Sequence, residues 1–498
     1  MTITSKLSSQ APNKSQQKLP ESQLGKDSKL AKEDEVSGAV QISDGSQRTP
    51  QGEVRNLQVY LVAVSRLMCY LARAQLGAVL PFLINDLHLT TAEQGYLMSR
   101  YASGYILTQI VGGVLADKHG GSIVIAFVIF ATALCCFMIP VFAAFGIKVF
   151  GIPFFVMGFC QGALMPAGSV LVARWVLPSE RSWASAITGM GACMGTLLVN
   201  FVAAPIASRC GWQAVFRITS LSCFGLLIAW LRLACSSPDT CRTLSQSEKV
   251  LLKQAGLVTE KSEKVGSASK IHKPFFNLSL FFHVPVWTVL VSHFVQNCQV
   301  YFAEWLPLFY NTYLGLTPDM AAFYLTVVAS MELPARTVTK DMPDHYAKRG
   351  MSLLQCRKVM SVQGFGYHLV LCAIVAALML SNVTSPLAFT IAFALSRAVQ
   401  AFHSGGYFAN YMDLTQDYVG MLNGVGNTLA SVAGIVVPHF VTFNLGISSD
   451  NWLPIIGGGM VLNLLAVAMI SRFMSTSSLD GAVSSCAGRW WLQTGKTS

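Results

Sequence analysis

Long apolar runs, separated by short polar breaks, make up most of this chain. After residue 55 they fall at roughly 57–83, 93–116, 122–145, 148–175, 183–207 and 212–234, and again at 286–312, 319–338, 355–380, 384–411, 417–445 and 451–474. About twenty residues of helix rise ~30 Å, the thickness of the hydrocarbon core of a bilayer, so each run predicts a membrane-spanning helix. Six runs precede a polar gap from Cys235 to Pro285 and six follow it. Equal halves around a central connection predict an all-α membrane protein of 12 transmembrane helices in two pseudo-symmetric six-helix bundles, 56–234 and 286–474, joined by a loop at 235–285.

The polar segments suggest an orientation. The gap carries Arg242, Lys249, Lys253, Lys261, Lys264, Lys270 and Lys273, and the break after the eighth run carries Lys340, Lys348, Arg349, Arg357 and Lys358. The opposite breaks, such as Leu314 to Pro318 and Ser381 to Pro386, are short and nearly uncharged. Basic loops stay on the cytoplasmic side or its equivalent, which places both termini and the central loop there. The triplet Asn382-Val383-Thr384 is of glycosylation type and falls on the other side, in a very short loop. Residues 1–55 lack apolar periodicity and read as a disordered tail, and 475–498 read as a C-terminal tail. Acidic residues from Glu21 to Glu53 argue against an organelle transit peptide, while the acid-free stretch Met1 to Gln17 leaves a short one open.

Composition agrees with the pattern. Hydrophobic residues make up 53% of the 498 residues, charged ones 12%, and mean hydropathy is +0.50. Soluble domains carry about 25% charged residues. The net charge of +11 sits mainly in loops, which fits attraction to anionic headgroups rather than nucleic acid. The 13 cysteines are scattered through apolar stretches without a C-x-x-C pair, so they read as packing residues and not as a disulfide or metal framework. No cofactor is implied.

One stretch organises the rest: GYILTQIVGGVLADKHGG, Gly104 to Gly121. Gly112 and Gly113 let a neighbouring helix approach closely. Asp117 is placed to accept hydrogen bonds from the exposed amides that begin another helix, or to pair with a cation. With Gly113, Asp117 and Gly121, the order G-x-L-A-D-x-x-G between two spans resembles the loop signature of the major facilitator superfamily. Three further stretches resemble its anion:cation symporter group, which includes sialin, the vesicular glutamate carriers and plant plastid phosphate carriers. They are FCQGALMPAGSVLVARWVLPSERS (Phe159 to Ser182), SHFVQNCQVYFAEWLPLFYN (Ser292 to Asn311) and GGYFANYMDLTQDYVGMLNGVGNTLASVAGIVVP (Gly405 to Pro438). The resemblance covers roughly 57–474. It implies a secondary transporter of phosphate or small organic anions working by alternating access, driven by H⁺, Na⁺ or membrane potential. It also implies a multi-pass protein of the plasma membrane or of an organelle membrane, a plastid being one option.

Charges within the spans are expensive and therefore candidates for function. Arg73, in LARAQLGAV, matches the arginine of the group's first-span D-R-x-N-x-x-x-A pattern, with Ala72 where the acid stands. A guanidinium binds carboxylate or phosphate through two parallel hydrogen bonds, so Arg73 is the leading anion ligand. Arg66, seven residues earlier on the same face, reads as snorkelling toward the helix end. Arg100 departs from the small residue usual in the group; it either adds positive potential to the cavity or pairs with Glu304. Tyr101 and Tyr105 offer hydroxyl donors or core packing. Aligned on Gly162 and Pro166, the group's fourth-span arginine and acid become Phe154 and Gln161. Gln161 binds substrate without carrying a proton, so both familiar coupling carboxylates are absent and simple H⁺ symport is in doubt.

Glu304 and His293 are the alternative proton carriers, Glu304 also being placed to pair with Arg100 or Arg336. Glu332 and Arg336, four apart, read as a structural pair. Arg397 is the anion candidate of the second half, and Gln296 and Asn297 offer neutral hydrogen bonds. Pro166, Pro205, Pro307 and Pro438 mark either hinges or simple kinks. The missing carboxylates also leave open a non-transporting membrane sensor or scaffold that retains the fold. No nucleophile elbow, metal-ligand cluster or paired acids point to an enzyme.

Overall fold

The computed structural model describes residues 53–258, 276–448 and 451–480. Lys261, Lys264, Lys270 and Lys273 of the central loop, and the tails at 1–52 and 481–498, lie outside them. The described chain is helical throughout. Its first half comprises α1 (Glu53–Leu87), α2 (Thr91–His119), α3 (Gly121–Phe142), α4 (Ile147–Gln161), α5 (Leu164–Trp175), α6 (Arg181–Cys210) and α7 (Trp212–Leu233). A short helix, α8 (Gln246–Gln254), sits in the connection. The second half comprises α9 (Val284–Ala303), α10 (Leu306–Thr312), α11 (Pro318–Ser330), α12 (Glu332–Thr339), α13 (Met342–Lys348), α14 (Leu353–Leu380), α15 (Pro386–Val399), α16 (Tyr407–Leu414), α17 (Val419–Ile447) and α18 (Leu453–Phe473).

Among the described residues, 8 helical segments are long and apolar enough to cross a membrane, α4 and α5 counting as one segment from Ile147 to Trp175. The other four expected crossings are real helices that fail this measure for visible reasons. In α2 the span includes Arg100 and ends on Asp117, Lys118 and His119. In α9 the 20 residues include His293, Gln296, Asn297 and Gln299 before the helix breaks at Glu304–Trp305 and restarts with Pro307 near its N-terminus. The remaining two are split into α11 with α12 and α15 with α16. Pro205 and Pro438 lie inside continuous helices, whereas Pro166 follows the break between α4 and α5.

Local chemistry sets the ends. Thr90 and Glu93 form a capping box at the start of α2, and Ser352 and Gln355 form one at α14. Gly120 stops α2 at φ +95° and Gly211 stops α6 at φ +78°, values an L side chain adopts only with strain, so each pair of helices reverses in one residue. The outer faces stay apolar: Ile123, Phe127, Phe130, Leu134 and Phe137 line one exposed stripe of α3 at helical spacing, as a lipid-facing surface requires. Inside, small residues bring backbones together. A Cβ on Gly158 of α4 would lie 2.0 Å from the Tyr101 carbonyl oxygen of α2, and one on Gly191 of α6 would lie 2.1 Å from that of Ala63 in α1. Buried apolar clusters fill each half, one around Trp175, Trp230 and Ile129 and another around Phe309, Phe389 and Trp452.

Candidate functional site

Arg73 lies near the middle of α1 and is exposed, yet it is enclosed by protein. Its guanidinium carbon sits 5.7 Å from the ring centre of Tyr70, 5.1 Å from that of Tyr101 and 5.6 Å from that of Tyr105. Tyr101 and Tyr105 are stacked, one turn apart on α2. Its electrostatic neighbours also include Tyr301 and Glu304 from the second half. The group therefore faces the space between the halves rather than lipid. Aromatic faces steady a cation without using its N–H donors, and among the described residues no carboxylate lies within ion-pair distance of Arg73. An exposed, donor-rich cation facing the other half is what an anion needs.

The other sequence candidates divide by position. Tyr101 turns its ring to Arg73 and donates its hydroxyl to Gln161 Oε1 at 2.8 Å. Gln161 is buried and donates in turn to Thr132 Oγ1 at 3.0 Å, so it stands one layer behind the cavity and fixes the tyrosine. Glu304 is exposed at the break between α9 and α10, across from Arg73 and without a bonded partner such as Arg100 or Arg336. Arg100 instead lies over the Tyr96 ring at 4.3 Å, in a surface pocket of about 210 Å³ lined with Gly151, Ile152 and Phe155. Gln296 accepts from the Tyr407 hydroxyl. His293 is buried among Tyr407, Phe408 and Tyr411, with Nδ1 3.1 Å from the Tyr411 hydroxyl. Arg397 is committed to Glu332 at 2.7 Å, and Arg336 holds the same carboxylate at 2.7 Å, so the expected pair is a triad linking α12 and α15. Arg66 does not snorkel; it is 2% exposed and donates to Thr188 Oγ1 at 2.9 Å, because its side chain bends back between α5 and α6.

Below this cavity, toward the basic face, the halves are sealed together. Asp117, at the end of α2, accepts from the backbone N–H of Gly420 at 2.8 Å and of Met421 at 2.7 Å, the first turn of α17. Gly113 makes this possible: a Cβ there would lie 2.0 Å from the Gly420 carbonyl oxygen. Gly121 is similarly tight against α5, where a Cβ on it would lie 2.4 Å from the Ala167 carbonyl oxygen. Gln109 Nε2 donates to Ser431 Oγ at 3.0 Å farther along the same seam. A second clasp lies beside it. Asp413 receives Arg181 Nη1 at 2.9 Å and Arg357 Nε at 2.7 Å, all three residues being buried, and Arg357 also reaches the Pro178 carbonyl at 2.9 Å. Ser182 donates to the Gly405 carbonyl at 3.2 Å.

Sequence reasoning missed this second clasp. Arg357 read as one more loop cation, although Asp413 was a lone acid in an apolar run and Arg181 lay in the quoted P-x-E-R-S stretch. The arrangement is an exposed mid-span arginine, facing Glu304 of the other half, above a two-part seal.

Comparison with known proteins agrees with this geometry. The family model described as Major Facilitator Superfamily matches residues 62–438. The chain is 27% identical over 424 residues to the chloroplastic ascorbate transporter of Arabidopsis thaliana, covering 82% of this chain and 75% of the relative. It is 28% identical to the chloroplastic sodium-dependent phosphate transport protein 1 of the same plant, covering 74% and 70%. It is also 28% identical to the rat voltage-gated purine nucleotide uniporter SLC17A9, covering 76% and 78%. Its fold is similar to that of the proton:xylose symporter XylE, with a TM-score of 0.63 at 14% identity over 85% of this chain and 97% of the other. The matching family model over residues 62–438, together with the fold, establishes that this chain belongs to the Major Facilitator Superfamily.

Proposed function

We propose that the protein carries a phosphate- or carboxylate-bearing anion across its membrane by alternating access, with Arg73 as the anion's principal ligand. One observation carries the reading: Arg73 is a mid-span guanidinium left open to the cavity, steadied by three tyrosine rings and not neutralised by an acid. The names of the relatives support the class, since ascorbate, phosphate and purine nucleotides are all anions. Tyr101, fixed by Gln161, shapes the pocket beside Arg73, and Glu304 faces it from the other half. Arg100 and Arg397 contribute field rather than contact in the state seen here.

Coupling need not use a proton. One relative is named sodium-dependent and another a voltage-gated uniporter, and this chain has Ala72 and Gln161 where its group carries acids. Membrane potential alone drives a net-negative passenger past fixed positive charge. If protons are used, Glu304 is the carrier, being the exposed acid at the helix break. The basic face corresponds to the cytoplasm or, for an organelle, to the compartment equivalent to it, and the chloroplast names of several relatives make a plastid membrane a candidate. The test is uptake into proteoliposomes of labelled phosphate, ascorbate, glutamate and ATP, with imposed ΔpH, Na⁺ gradient and voltage. Flux of at least one anion is expected; none under any gradient would favour the sensor or scaffold.

A further inference from the structure

Arg66 is a buried cation that no carboxylate among the described residues pairs with. Among the described residues its guanidinium donates to the Thr188 hydroxyl alone, and its Nε is buried without a partner. Space has been cleared for it: a Cβ on Gly168 of α5 would lie 2.9 Å from Arg66 Nη2. A guanidinium taken from water without a carboxylate costs several kcal/mol in a folded protein. Apolar packing would fill the same volume at no such cost, so an unpaired guanidinium here points to a ligand.

Its surroundings say which one. Its electrostatic neighbours are Tyr70, Tyr105 and Arg336. Arg336 comes from the other half, and it meets α6 one residue on from Thr188, where a Cβ on Gly189 would lie 2.6 Å from Arg336 Nη1. Consecutive positions of α6 thus receive a guanidinium from each half. Arg336 and Arg397 both pair with Glu332 and Arg66 does not, so three cations stand against one carboxylate, which leaves a positive excess. Along α1, Arg66 lies seven residues, ~10 Å, from Arg73 toward the basic face. Thr188 lies seven residues along α6 from Arg181 of the seal. The cluster therefore occupies the space between the open cavity and the closed seal.

We propose that Arg66 and Arg336 form a second anion-binding station, distinct from Arg73, that holds a phosphate- or carboxylate-bearing anion once the basic-face seal opens. The station rests on the transport reading above, because the anion it takes is the one leaving Arg73. While the seal is closed, the Thr188 hydroxyl takes one of its donors. When the halves part on that side, Arg66 meets water and its remaining N–H groups become available, while Arg336, its nitrogens held by Glu332 and Ser404, adds positive field from the facing wall.

The test is charge-selective labelling of Thr188→Cys from the basic face of oriented proteoliposomes, read at that residue by peptide mass spectrometry. The anionic reagent MTSES is expected to react roughly tenfold faster than cationic MTSET, after correction for their reactivity with free thiol, because fixed positive charge raises local anion concentration. Inorganic phosphate added on that face should slow the reaction. Arg66→Gln should abolish the preference, and Arg66→Lys should restore it in part. Equal rates for the two reagents, or a preference unchanged by Arg66→Gln, would overturn the station. Should Thr188→Cys fold poorly, Ser185→Cys, one turn nearer the seal, reports the same potential. Loss of all anion flux in the wild type with the preference intact would refute the transport reading, leaving Arg66 an anion-attracting site but not a station on a transport path. In phosphate exchange, Arg66→Gln should raise the KM on the basic face roughly tenfold while leaving the opposite face unchanged; equal changes on both faces would make Arg66 structural.

Discussion

Replacing Asp117 with Asn should unlatch the basic face. The carboxylate takes two backbone N–H groups, at 2.8 and 2.7 Å, from the first turn of α17. Hydrogen bonds to a charged acceptor contribute about 1.5–3 kcal/mol each, and a carboxylate at a helix N-terminus adds about 0.3–1 kcal/mol. Asn keeps one carbonyl oxygen and turns an amide donor toward the second N–H, so one bond is lost outright and the other loses its charge. The expected deficit is about 3 kcal/mol, or roughly two orders of magnitude in the closed-to-open equilibrium. Ser185 provides the reporter. It lies on α6 between Arg181 and Thr188, is 4% exposed, and its hydroxyl has no partner, so Ser185→Cys disturbs little. With an impermeant maleimide on the basic face, labelling at residue 185 should be slow in the parent and roughly a hundredfold faster with Asp117→Asn. An unchanged rate would mean that Asp117 does not hold the seal, and that the second clasp alone does.

Two other outcomes follow from the same geometry. Asp413→Asn leaves Arg181 and Arg357 buried without their shared acid; breaking a buried pair costs about 3–5 kcal/mol, so the detergent-solubilised protein should melt several degrees lower, and an unchanged melting curve would show that the cluster is solvated. Gln161→Glu restores an acid that accepts from Tyr101 and Thr132 in place; dependence of uptake on ΔpH should rise, whereas an unaltered pH profile would remove the lost carboxylate from the explanation of coupling.

Much of the fold could be read from the sequence because its signal is local. An apolar run of about twenty residues has one stable solution in a bilayer, and the Gly104–Gly121 stretch states its own helix end and turn. The breaks inside α9–α10, α11–α12 and α15–α16 were harder, since each run keeps its hydrophobicity across the interruption. Partners in different halves left no local trace. Asp117 meets residues 303 and 304 positions away, and Arg181 meets one 232 positions away, and no periodicity encodes such a pairing. Arg66 shows the opposite error: a cation toward the end of a span suggests snorkelling, but Gly168 and Thr188 offered it a buried seat that only the packing of α5 and α6 reveals. Arg397 looked like Arg73 in sequence and differs in the fold because Glu332 is within reach.

The account stands on Arg73, and the measurement that tests it most directly is saturable uptake of the transported anion by Arg73→Lys and Arg73→Gln proteins reconstituted at equal density. Lysine keeps the charge but loses the bidentate fork and the flat contact with Tyr101 and Tyr105, so the apparent KM should rise about tenfold or more. Glutamine should abolish saturable uptake. Wild-type kinetics in both variants would contradict the assignment and place the anion elsewhere in the cavity.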